Sequence, residues 1–130
     1  MSRRSIHFFP LALLPFLISC EGNTYREWVI QNDSSKEVRI EFDSGLSGLE
    51  TSTVGPDSSR TIIITDQLGG SDYAGNPVQS FDSLLIFNAM DTLVKSVYDS
   101  ANWSVETEQI RNVPSHWEHS FKFTVSDSDF

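Results

Sequence analysis

The sequence predicts an all-β domain made of packed antiparallel sheets. Three observations predict it. Apolar and polar side chains alternate with period two in several runs, which is the pattern of half-buried strands. Clusters of Gly, Asn, Asp, Ser and Pro separate those runs, and their backbone preferences make turns. Beyond residue 20, no stretch carries the apolar stripe of an amphipathic helix. The architecture that follows is an immunoglobulin-like β-sandwich of about seven antiparallel strands, with a small β-barrel as the alternative. The Cys–Trp–Cys framework of antibody domains is absent, so only the general sandwich is implied.

Taken in order, residues 25–31 form the first strand, with Trp28 and Ile30 on one face. Asn32-Asp33-Ser34-Ser35 is a turn, because these side chains bond to nearby backbone. Residues 37–43 alternate cleanly, with Val38, Ile40 and Phe42 on one side and Glu37, Arg39 and Glu41 on the other. The two strands are expected to pair as a hairpin with one buried side. Residues 44–59 are richer in Gly and Ser, with a weaker strand at 50–54 and a turn at Gly55-Pro56-Asp57. Ile62-Ile63-Ile64, inside the strand 60–65, suits a strand covered on both faces. Residues 67–79 make the longest loop. Strands at 83–88 and 92–98, joined by Ala89-Met90-Asp91, are expected to form a second hairpin. Residues 99–115 read either as a strand on which Trp103, Val105 and Thr107 alternate or as a helical turn. The last strand, 117–125, is the clearest, with Trp117, His119, Phe121, Phe123 and Val125 on one face.

The first twenty residues read as a processing signal rather than as part of the domain. Arg3 and Arg4 are followed by an apolar stretch over residues 8–18. A membrane span needs roughly 20 apolar residues, so this stretch is short for one. It ends in Leu17-Ile18-Ser19-Cys20, which resembles the bacterial lipobox. The resemblance implies cleavage of the Ser19–Cys20 bond, diacylglycerol on the Cys20 thiol and acylation of the new amino group. Residues 1–19 are then a lipoprotein signal peptide, 20–24 a lipidated tether and 25–130 a single domain. Cys20 is the only cysteine, so the domain has no internal disulfide and depends on its apolar core.

Without residues 1–19 the chain keeps 7 basic and 18 acidic residues, a net charge of −11 with His neutral. Nucleic acid is not expected as a partner, since that binding rests on Lys and Arg neutralising phosphates. The acidity reads as a solvated surface. Glu21-Gly22-Asn23-Thr24 carries one acid, and surface-export signals resemble denser acidic runs. The expected location is therefore the periplasmic side of an outer membrane, reached through the acyl chains on Cys20.

Val29-Ile30-Gln31-Asn32-Asp33-Ser34, Gly55-Pro56-Asp57-Ser58-Ser59, Asn102-Trp103 and the tail 121–130 together resemble small cell-envelope lipoproteins of Bacteroidota. The resemblance implies class and address. It brings no catalytic residues and no cofactor.

No set of residues makes a coherent catalytic or metal site. His116-Trp117-Glu118-His119 has two imidazoles three apart, but on a strand these point to opposite faces. Gly45-Leu46-Ser47-Gly48 lacks the spacing of a nucleophile elbow. The glycines of 69–75 lack the strand-to-helix setting of a phosphate loop. Asp66, Asp72, Asp127 and Asp129 offer carboxylates for calcium but no ligand loop. Among the aromatics, Trp28 and Trp117 take core phase. Trp103 and Tyr73, in less regular segments, are the ones expected to face a ligand. The function expected is a non-catalytic binding or interaction module with a protein or glycan partner. A carbohydrate-binding accessory protein is the alternative.

Overall fold

In the computed structural model, which describes residues 21–130, two β-sheets face each other across one apolar core. The strands are β1 (Asn23–Asn32), β2 (Val38–Asp43), β3 (Leu49–Val54), β4 (Ser58–Leu68), β5 (Ser83–Phe87), β6 (Trp103–Arg111) and β7 (His116–Val125). Short 3-10 turns occupy Pro77–Gln79, Ser100–Asn102 and Asp127–Asp129. The larger sheet has the order β4-β1-β7-β6 and the smaller β3-β2-β5. The predicted sandwich of about seven strands is the fold, and it does not close into a barrel. One pairing departs from the antiparallel expectation. β1 and β7 run parallel in unbroken register, from Asn23 beside His116 to Asn32 beside Val125.

Period-two alternation builds the core from one face of each strand. β1 contributes Trp28 and Ile30, β2 contributes Val38, Ile40 and Phe42, β5 contributes Leu84 and Ile86, and β7 contributes Phe121, Phe123 and Val125. The Trp28 and Phe121 rings are tilted, with centroids 4.8 Å apart, and Trp103 lies 5.2 Å from Phe123. Both buried indole N–H groups are satisfied. Trp28 Nε1 donates to the Pro77 carbonyl and Trp103 Nε1 to the Val97 carbonyl, each at 2.9 Å.

Three local expectations are corrected. β1 and β2 do not form a hairpin, because they lie in opposite sheets and present their apolar faces to each other across the core. The turn between them is an arch organised by Asn32, which is fully buried. Its Nδ2 donates to the carbonyls of Lys36 and Val54, and its Oδ1 accepts from the N–H and hydroxyl of Ser34. The triple Ile segment is not covered on both faces, since the outer face of the larger sheet, where Ile64 lies opposite Glu27, has no layer over it among the described residues. A bulge sets Trp28 opposite Ile63 and Val29 opposite Thr61, so Ile62 is the extra residue and packs with Ile63 against the core. Ile64 is left 57 % exposed. The second hairpin starts but does not continue. Phe87 bridges Thr92 and Leu93 N–H donates to the Ile86 carbonyl, after which the chain is held by irregular bonds. Lys95 Nζ reaches the Thr124 carbonyl, and the Tyr98 hydroxyl accepts from Leu84 N–H. The ambiguous segment is both things in turn, a helical turn at Ser100–Asn102 and then β6.

The two sheets differ in length. Strands of the larger sheet have 9–11 residues and those of the smaller have 5–6. The smaller sheet therefore cannot cover the whole inner face of the larger one. Part of the remainder is covered by residues 69–79, which are fixed by side chains of β1 and β7. Thr24 Oγ1 donates to the Gly69 carbonyl at 2.6 Å, and Arg26 donates to the carbonyls of Ala74 and Tyr73 at 2.7 and 3.0 Å.

Candidate functional site

Cys20 and Ser19, which carry the predicted lipid attachment and cleavage, lie outside the described residues. The chain that follows them is fixed almost at once. β1 begins at Asn23, two residues earlier than the sequence suggested, because Asn23 already pairs with Leu68 and with His116. Asn23 N–H donates to the Ser115 carbonyl and Gly69 N–H to the Gly22 carbonyl. Gly22 is buried there, and a Cβ on it would lie 1.7 Å from the Ser115 carbonyl oxygen. Only glycine fits this close approach. The near end of the domain is thus built from Gly22, the end of β4 and the β6–β7 turn.

On the outer face of the larger sheet, register brings together residues far apart in sequence. One row across the four strands reads Asp66, Tyr25, Glu118, Glu108. The next reads Ile64, Glu27, Ser120, Glu106. Five carboxylates thus flank one tyrosine, with no Lys or Arg in either row. Glu108 stands directly opposite Glu118, an arrangement that costs stability between like charges. A shallow groove of about 350 Å³ runs here, lined by Tyr25, Glu27, Glu106, Glu108 and Glu118 among others. Desolvation raises the Tyr25 pKa above its ordinary 10.0, and the charges of Glu27, Glu118 and Asp66 raise it further. His116 Nε2 lies 3.2 Å from Glu118 Oε1. The face ends at β6, whose other edge has no strand beside it among the described residues.

The residues singled out from sequence scatter. Trp103, expected to face a ligand, is 5 % exposed and is a core residue between Phe81 and Phe123. It opens β6 in phase with Phe123, and its N–H is used inside the protein. Tyr73 is 72 % exposed, in the segment that covers the lower inner face. His119, which alternation places on the apolar face of its strand, is 1 % exposed. Its Nε2 faces the Ser71 carbonyl at 2.9 Å and therefore donates, so its Nδ1 accepts from the Thr107 hydroxyl at 2.9 Å. His116 sits on the opposite face of β7, so the two imidazoles do not converge. Asp66 lies near the Asn23 end of the larger sheet, whereas Asp127 accepts from Ser35 at the other end and Asp129 closes its own turn. The four aspartates share no site.

The acidic rows were half visible in the sequence. Glu27, Glu106, Glu108 and Glu118 occupy the polar phase of alternating strands. What alternation cannot show is that β1, β7 and β6 are neighbours, which is what gathers those residues. Compared with family models, with curated proteins and with solved structures, the chain matches none.

Proposed function

We propose that the protein is a non-catalytic, lipid-anchored binding module of the cell envelope, facing the periplasm from an outer membrane. Cys20 holds the acyl chains, and the outer face of the larger sheet receives a basic, extended segment of a protein partner. The anchor rests on Leu17-Ile18-Ser19-Cys20 and on the folded chain starting two residues later. The binding reading is carried by one observation: Glu108 and Glu118 are paired directly, within two rows of acids, at the edge of a sheet. A cationic side chain placed between them turns a repulsion into two attractions. The free edge of β6 supplies main-chain N–H and C=O groups for an added strand. A second copy of β6 fits poorly, because it brings Glu106 and Glu108 against their own kind.

The carbohydrate alternative loses Trp103 to the core and rests on Tyr73. Titration with a Lys-rich extended peptide, its Glu-rich counterpart and a panel of glycans separates the readings. The Lys-rich peptide is expected to bind, to weaken with added salt and to perturb the β6 amides. At roughly 0.5 kcal/mol per cross-strand charge pair, E106Q/E108Q/E118Q should weaken it about tenfold. Binding that ignores the triple variant, or that favours a glycan, rejects the acidic face as the site.

A further inference from the structure

Large apolar side chains stand exposed at the end of the sheet where the chain emerges from Cys20. Leu68, the last residue of β4, is 83 % exposed and pairs with Asn23. Val113, in the β6–β7 turn, is 78 % exposed, and Ile110, at the bulge before that turn, is 48 % exposed. These residues border the Gly22–Ser115 contact, so they lie at one end of the domain. Nothing among the described residues covers them, and a polar residue would serve a solvated turn better. The end also carries Arg111, exposed, with its Nε bonded to the Pro114 carbonyl.

Covalent geometry decides what meets this end. Gly22 is two residues from Cys20, and at 3.3–3.6 Å per extended residue their Cα atoms are within about 7 Å of each other. The polar layer on each side of a bilayer is about 5–8 Å deep, half the difference between total and hydrocarbon thickness. A domain held by acyl chains on Cys20 therefore has its Gly22 end at the level of the head groups. We propose that Leu68, Ile110 and Val113 form a seat that enters the boundary between head groups and acyl chains. The larger sheet then stands upright on the membrane instead of swinging on its tether. This inference rests on the lipid-anchor reading above. Asp66, Glu118 and Glu108 lie one row above the seat, so anionic lipid repels the outer face and keeps it from lying flat.

The test uses the mature lipidated protein, methyl-labelled, in phosphatidylcholine nanodiscs carrying a lipid spin-labelled near the top of its acyl chain. Intact mass first reads whether Cys20 is acylated. The expected result is loss of methyl signal at Leu68, Ile110 and Val113. Signals of Met90 and Val94 should survive, because both lie at the far end. Met90 follows β5, and Val94 N–H donates to the Asp129 carbonyl beyond β7. In L68S/V113S, Ile110 should recover signal, which proximity imposed by the tether alone does not predict. Acylated protein whose three methyls lose no more signal than Met90 overturns the seat while leaving the anchor intact. A mass without acyl chains overturns both.

Discussion

Tyr25 shows how much a single residue owes to strands it does not neighbour in sequence. Its ring lies between Asp66 and Glu118, with Glu27 two positions along its own strand. Desolvation and then these charges hold its pKa above 10.0. The folded state thus favours the neutral phenol. Its contribution to stability is fully present below pH 10.0 and is lost as pH rises through the higher folded value. Replacing Glu27 and Glu118 by Gln should bring the Tyr25 transition down towards 10.0 without reaching it, since desolvation remains. Following the Tyr25 ring signals by NMR through alkaline pH checks this, and an unchanged midpoint contradicts it. Residue phase was legible where alternation was clean, as for Trp28, Phe121, Phe123 and Val125. It failed for Trp103 because the segment before β6 has no period, so nothing in the sequence sets which way that ring turns. The burial of His119 was readable only in part. Its phase with Phe121 pointed inward, but its partners Thr107 and Ser71 are 12 and 48 residues away.

Elements were legible as strands and less so as pairs. Five of the seven strands (β1, β2, β4, β5 and β7) follow from alternation or from apolar and β-branched runs. β3 was only a weak signal and β6 one of two readings, while the expected strand 92–98 does not form and both predicted hairpins were revised. A short polar link between strands fits a hairpin in one sheet and an arch between two equally well. Asn32 decides for the arch by spending its amide on Lys36 and Val54, a choice made by tertiary contact. The same limit hid the lower closure of the sheet. Gly22 looked like tether because glycine has no pattern, whereas it is the point where β1, β4 and the β6–β7 turn meet. Its backbone is not in the left-handed region, so the requirement is for space alone. Gly22→Ala should force the Ser115 backbone aside and cost about 1–3 kcal/mol, as overpacking does. Urea unfolding of the domain measures it, and a midpoint equal to wild type contradicts the close approach.

At the scale of the whole molecule, the fold class was legible and the topology was not. Composition and turns sufficed for a two-sheet sandwich. The central parallel pair could not be read, because it joins the first strand to the last and leaves no local trace. That pair has a mechanical consequence. β1 starts at the Gly22 end, and β7 finishes at the other end, ten residues and about 33 Å along. The two adjacent strands leave the ladder in opposite directions, one towards Cys20 and one towards Phe130. A pull between those points runs along the strands and shears all the rungs at once. A pull across the sheet, from β4 to β6, would peel them in turn. An atomic-force ramp should therefore meet a higher rupture force from end to end than from edge to edge, and equal forces would contradict the shear geometry. With the proposed anchor at Cys20, drag on whatever the far end holds would fall on the parallel β1–β7 ladder, in line with its strands.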